Sequence, residues 1–232
     1  MHAKLGLIVR DLCQVEEAVK SLPEITVDTP HGPVTVKLGP KWAVICRSGL
    51  TEEAYALPHE YNTIGHLAAF KQLNLTEVVG VHSCGSLRPS LAPGVLIIPD
   101  DWINFTSPAL TTLSGQRRHL TPSFSKTVRQ RLIDASWKAQ VRFENGGVYW
   151  QSLGPRLETK AEIKVMSNFA DVVGMGLADE ANLAQEFGLE YGAVCSVDNY
   201  AHGLGPTLTD DIIRDHSIRS MDVIGRLLAE FE

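Results

Sequence analysis

Val78-Val79-Gly80-Val81-His82-Ser83-Cys84-Gly85 is the stretch that decides how this chain folds. Residues 78–82 are a short, mostly apolar run, which fits a strand buried on both faces, and the small residues Ser83-Cys84-Gly85 follow at its end. Just upstream, residues 60–73 place Ile64, Leu67, Ala68 and Leu73 at near-helical spacing, and Trp42–Cys46 is another buried strand. Strand-like runs alternating with helical patterns predict a mostly parallel sheet covered by helices. In such sheets ligands sit beyond the carboxyl ends of the strands.

The alternation continues outward. Leu5–Val9 reads as a strand; residues 25–27 and 34–38, separated by Thr29-Pro30-His31-Gly32, read as a hairpin. Residues 95–98, 147–151, 172–175 and 191–197 read as extended, and residues 125–138, 179–187 and 209–231 as helical. Thr159 caps a further helix, with Glu162 completing a capping box. Residues 99–122, rich in Ser, Thr, Pro and Gly, read as an irregular lid or oligomer contact. The expected fold class is α/β: one domain over residues 1–232, with a central mixed, largely parallel twisted sheet flanked by helices. There is no internal repeat and no linker.

Composition narrows the function classes. The 232 residues are 44% apolar and 21% charged, ordinary for a globular domain, and no window reaches the roughly 18 uninterrupted apolar residues of a membrane span. Residues 1–12 carry no basic stretch or cleavage signature of a secretory leader, so the expected location is cytoplasmic. The four cysteines, Cys13, Cys46, Cys84 and Cys195, are scattered without C-x-x-C spacing, which fits reduced thiols and no zinc site. A net charge of −6 argues against nucleic-acid backbone binding, and Arg117-Arg118-His119 is a small basic cluster that reads as solvated loop. No G-x-G-x-x-G follows the first strand, so a dinucleotide oxidoreductase is set aside.

The chemistry lies in Gly154-Pro155-Arg156-Leu157-Glu158-Thr159 and Asn199-Tyr200-Ala201-His202-Gly203. A carboxylate at Glu158 can accept the N1–H of a 6-oxopurine, and the Asn199 amide offers a donor and an acceptor to N7 and O6. Glu158 also reads as a first-turn helix charge and Asn199 as a turn residue. Asp198 lies next to Asn199, and because strands alternate faces only one of the two points at a purine; with Asp198 there, it would act as general acid at N7.

Taken with Gly174-Met175 and Glu180, with Pro58-His59-Glu60-Tyr61-Asn62 and with Cys84-Gly85-Ser86-Leu87, these segments resemble the trimeric purine nucleoside and methylthioadenosine/methylthioinosine phosphorylases, from about Cys46 to the end of the chain. The resemblance implies cleavage of a purine N-glycosidic bond, phosphate as co-substrate, no metal or organic cofactor, and a homotrimer whose neighbouring subunit closes the sugar pocket. It places Leu157 along the base, Met175 against the ribose, His59 and Ser83 near the substrate, and Arg47, Ser48 and His82 at the phosphate. Arg47 also reads as a surface ion pair with Glu52 or Glu53, Met175 as core filler and His59 as a structural residue.

The phosphate set departs from the family. Arg10-Asp11-Leu12 stands where relatives have a glycine nest, Ser48 where they have a histidine, Gly176 where they have a hydroxyl, and Thr51-Glu52-Glu53 adds negative charge. The sequence therefore leaves three readings open: phosphorolysis, hydrolysis by water, and a purine nucleoside-binding protein without turnover. It does not specify the 5′ substituent.

Overall fold

The computed structural model describes residues 5–10, 19, 21–49, 55–106, 110–115 and 119–231; Asp11, Leu12, Cys13, Thr51, Glu52, Glu53, Arg117 and Arg118 lie outside that set. Among the described residues, one sheet holds eleven strands. They are β1 (Leu5–Val9), β2 (Glu24–Thr29), β3 (Gly32–Leu38), β4 (Trp42–Cys46), β5 (Glu77–Ser86), β6 (Leu96–Ile98), β7 (Asp101–Asn104), β8 (Phe143–Asn145), β9 (Val148–Gln151), β10 (Val172–Gly174) and β11 (Glu190–Tyr200). The helices are α1 (Thr63–Gln72), α2 (Lys126–Lys138), α3 (Lys160–Met166), α4 (Leu177–Phe187) and α5 (Asp210–Glu230).

The sheet runs β2-β3-β4-β1-β5-β10-β9-β7, and β5 also pairs with β11, which carries β6 and, through it, β8. β1 is parallel to both β4 and β5, and β11 is parallel to β5 over almost its whole length. β10 meets β5 antiparallel, so the sheet is mixed and largely parallel, as expected. One apolar face buries Leu67 and Phe70 of α1 and Leu177, Ala181 and Leu183 of α4; the other buries Val128 and Leu132 of α2 and Ile224 and Leu227 of α5.

β5 is where the sheet divides. Val78 to Gly80 pair with β1, whereas Gly85 and Ser86 pair with β10, so on that edge Val81 to Cys84 have no strand partner. Unpaired backbone in the middle of a buried strand needs polar partners. The gap receives them from side chains and becomes the site.

Several element boundaries differ from the sequence reading, each for a local reason. α1 starts at Thr63, not residue 60, because the Asn62 side chain accepts from Gly65 N at 3.0 Å and caps it. β5 continues through the small polar residues 83–86 because β11 extends alongside them. The stretch 99–122 is not wholly irregular: Asp101–Asn104 pairs parallel to β9, a four-residue edge too short to show periodicity. β8 was likewise too short to read. The capping box at α3 forms as expected, with Glu162 N donating to Thr159 Oγ1 at 3.2 Å and Thr159 N to Glu162 Oε2 at 2.7 Å.

Candidate active site

Strand ends bring the chemistry together. Arg10 follows β1 and Arg47 follows β4; with His82, Ser83, Cys84 and Gly85 of β5, Met175 after β10, Asn199 of β11 and Leu157 and Glu158 before α3, they line a cavity of about 180 Å3. A neighbouring cavity of about 490 Å3 shares Leu157, Glu158, His202 and Leu208 with it. Together they have the size that suits a small organic ligand, about 300–1,000 Å3. Among the described residues no group of three or more His, Cys, Asp or Glu side chains could hold a metal ion.

Behind the cavity lies a closed ionic cluster. Arg47 is buried, and its Nε donates to Glu180 Oε1 at 2.8 Å, Nη1 to the Val81 carbonyl at 2.8 Å and Nη2 to the Ile8 carbonyl at 3.3 Å. The guanidinium thus satisfies backbone at the division of the sheet. Tyr191 Oη donates to Glu180 Oε2 at 2.8 Å, and His82 Nε2 lies 3.0 Å from that hydroxyl. Burial pushes the Glu180 carboxyl up, but Arg47 and His82 outweigh it and hold it at about 2. Burial and then Arg47 push His82 down, so the imidazole is neutral and its Nε2–H can donate to Tyr191. Gly80 makes the cluster possible: a Cβ there would stand 2.0 Å from Tyr191 Oη.

The Arg47 partner differs from the surface ion pair with Glu52 or Glu53 that the sequence also allows. The guanidinium is in the cavity lining, but its carboxylate is Glu180 on α4 and the pair is buried, so it is not a surface ion pair. Serine 48 is buried and engages Tyr61 Oη at 3.0 Å; Ser48 is not in the cavity lining.

The facing wall is less satisfied. Glu158 is 6% exposed, and its Oε1 is buried with no hydrogen-bond partner among the described residues. His202 Nδ1 lies 3.0 Å from the Glu158 carbonyl oxygen, so the two motif segments join here. Asn199 Nδ2 donates to the Tyr200 carbonyl at 2.9 Å. Between Val197 and Asn199 the register on β5 shifts, Val197 pairing with Cys84 and Asn199 with Gly85, which makes Asp198 the extra residue of a bulge. A bulge re-aims side chains. Asn199 lines the cavity; Asp198 is fully buried behind it, with Oδ1 accepting from Ser220 Oγ on α5 at 2.9 Å. Burial pushes the Asp198 carboxyl up, against the hydroxyls of Ser83, Ser196 and Ser220.

Of the other residues singled out from sequence, Leu157, Met175, Ser83 and His82 reach the lining and His59 does not. His59 is exposed in the 3-10 turn Pro58–Glu60, and its neighbours Pro58 and Tyr61 take the place in the lining. Arg10, Tyr61, His202 and Leu208 were missed as site residues. Arg10 was findable: it follows β1 at the carboxyl end, where ligands gather. Leu208 sits in a loop with no local signal.

Comparisons with known proteins agree with this fold. Residues 4–231 match the family model described as the phosphorylase superfamily, so the match extends well upstream of Cys46. The chain is 38% identical over 193 residues to a probable 6-oxopurine nucleoside phosphorylase of Archaeoglobus fulgidus, covering 81% of this chain and 78% of that one. It is 30% identical over 241 residues to a probable S-methyl-5'-thioinosine phosphorylase of Thermodesulfovibrio yellowstonii, covering 99% and 90%. The fold superposes on a methylthioadenosine phosphorylase from Schistosoma mansoni solved with adenine, with a TM-score of 0.86 and 22% identity over 98% of this chain and 90% of the other. On these grounds the chain belongs to the phosphorylase superfamily.

Proposed function

We propose that the protein cleaves the N-glycosidic bond of 6-oxopurine nucleosides by phosphorolysis, releasing free base and a pentose 1-phosphate. The observation that carries this reading is the buried, unpartnered Oε1 of Glu158 in the same cavity as the Asn199 amide. An unsatisfied buried carboxylate oxygen is expensive to keep, and the N1–H of a 6-oxopurine supplies the missing donor, whereas the N1 lone pair of a 6-aminopurine would face it with repulsion. The relatives' names support the base, since 6-oxopurine and thioinosine compounds share the 6-oxo group.

In the reaction a phosphate oxygen forms a bond to C1′ as the C1′–N9 bond breaks and its electron pair passes to the purine. Asn199 stabilises the charge that develops at N7 and O6, and Glu158 holds the base through N1–H. Leu157 and Met175 supply apolar surface to base and sugar. Phosphate is a co-substrate, and the scheme uses no metal or organic cofactor.

The test is release of hypoxanthine from inosine with and without phosphate, beside adenosine. Phosphate-dependent release favouring inosine supports the reading; release independent of phosphate makes the protein a hydrolase, and tight inosine binding without release makes it a binding protein.

Self-association completes the proposal. Phe105 is 81% exposed and packs edge-on against Trp150, while Leu153 and Phe169 are 56% and 64% exposed, apolar groups that an interface between copies would cover. A homotrimer fits, and a monomer mass by light scattering at micromolar concentration removes it. Among the described residues no helix is long and apolar enough to cross a membrane. The buried thiols of Cys46, Cys84 and Cys195, which form no disulfide among the described residues, support a reducing, cytoplasmic location.

A further inference from the structure

We propose that Gln151 is a positioning residue for the nucleoside, holding the turn that presents Met175 to the cavity; the inference rests on the reading of this cavity as the nucleoside site. Met175 lies in the short turn between β10 and α4 and lines the cavity. The end of β9 grips that turn on both sides of it. Ser152 N donates to the Gly174 carbonyl at 2.8 Å, and Gly176 N donates to Gln151 Oε1 at 3.0 Å. The same oxygen receives Ala178 N at 3.1 Å. Gly176 stands at the N-cap of α4 with no side chain to serve the opening amides of the helix, so Gln151 reaches across from the neighbouring strand to serve them. The Met175 side chain is held as well: a Cβ at Gly154 would stand 2.6 Å from its Sδ, so the sulfur rests against Gly154, at the head of the segment that carries Glu158.

The Gln151 amide is itself fixed from both ends. It is 4% exposed, and its Nε2 donates to Asp179 Oδ2 at 3.0 Å, while Asp179 Oδ1 accepts from Asn104 Nδ2 on the edge strand β7 at 3.1 Å. Two backbone donors on one side and a carboxylate on the other decide which end of the amide is the oxygen. Swinging Gln151 away would take that partner from two buried amides and from a carboxylate oxygen. Gln151 is not in the cavity lining, so what it does for a ligand it does through Met175. A chain of side-chain bonds thus runs from the sheet edge to the turn, and small displacements of a substrate contact are costly in rate.

The experiment is a double-variant cycle in the full chain, with inosine and inorganic phosphate varied separately. Gln151→Met, similar in size and unable to make these bonds, is expected to raise the KM for inosine by about 10-fold and to leave the KM for phosphate within about twofold. In a Met175→Ala background the same change is expected to move the inosine KM by less than about twofold, because the contact that Gln151 positions is already gone. Gln151→Glu sets two carboxylates face to face and is expected to be impaired as well; adding Asp179→Asn restores one donor and one acceptor and is expected to recover most of the inosine KM. Thermal unfolding run beside each variant establishes that it folds, and if Gln151→Met does not, the exchanged pair carries the test. An inosine KM unmoved by Gln151→Met, equal effects in the two backgrounds, or an exchanged pair that fails to fold or to recover the inosine KM overturns the assignment. Cleavage that needs no phosphate overturns phosphorolysis alone, because the inosine KM is still read; if inosine binds without release, its Kd replaces the KM. An unaltered protein that neither binds nor cleaves inosine overturns both.

Discussion

Glu158 and Glu180 are both buried, 6% and 2% exposed, yet the protein treats them in opposite ways. Glu180 receives Arg47 on one oxygen and Tyr191 on the other; Glu158 keeps an oxygen without a partner among the described residues. Glu180, which the protein itself satisfies, helps hold the divided sheet together, and the unsatisfied oxygen of Glu158 stands in the cavity wall where a ligand can supply its donor. The comparison can be broken by altering each side in turn.

Removing one partner of the closed cluster should have the largest effect. Glu180→Ala leaves the Arg47 charge buried and uncompensated and should cost about 3–5 kcal/mol in denaturant unfolding; a loss below about 1 kcal/mol would mean that the pair contributes little. Acid should reach the same cluster. The folded Glu180 carboxyl titrates at about 2 against an ordinary 4.5, so the unfolded chain binds that proton first, and stability is lost as pH falls from 4.5 toward 2. His66 on α1 acts at higher pH: burial lowers it from 6.5 to about 4, so the unfolded chain again protonates first and stability falls between these values, by an amount on the order of 3 kcal/mol. In His66→Gln that upper phase should disappear, leaving the phase below pH 4.5; an unchanged profile would assign the loss elsewhere.

Packing under the cluster comes next. Gly80→Ala drives a methyl against Tyr191 Oη and should destabilise the fold by about 1–3 kcal/mol, partly relieved by Tyr191→Phe. Additive losses in the double variant would show that the hydroxyl is not what Gly80 accommodates.

Much of the architecture was legible because it rests on periodicity. Leu5–Val9 and Trp42–Cys46 have the boundaries that their apolar runs indicate, and the Thr159/Glu162 cap forms as its spacing requires. What was not legible is tertiary. The bulge that turns Asp198 behind the cavity depends on how β11 registers against β5, which no local pattern encodes. The pairing of Arg47 with Glu180 joins residues far apart in sequence, and both lie inside motif segments that suggested ligand contacts. His59 stands out by its motif, whereas its neighbours Pro58 and Tyr61 in the same segment are the ones that reach the cavity. A motif locates a segment; the packing of that segment decides which of its side chains faces the ligand.

The smallest change in stability belongs to the other glutamate, and it accompanies a large change in activity. Glu158→Gln removes a charge whose Oε1 has no partner among the described residues, so the unfolding free energy should not fall more than about 0.5 kcal/mol below the parent's. Phosphate-dependent cleavage of inosine should fall by about 10- to 100-fold in kcat/KM, the loss of a charged hydrogen bond to the base. Measuring both in one preparation, with adenosine beside inosine, tests the account most directly. It predicts a stable variant that has lost its preference for the 6-oxo nucleoside. A variant that unfolds like Glu180→Ala, or one that is stable and keeps the parent's activity and preference, would contradict the claim that Glu158 is held unsatisfied for the purine.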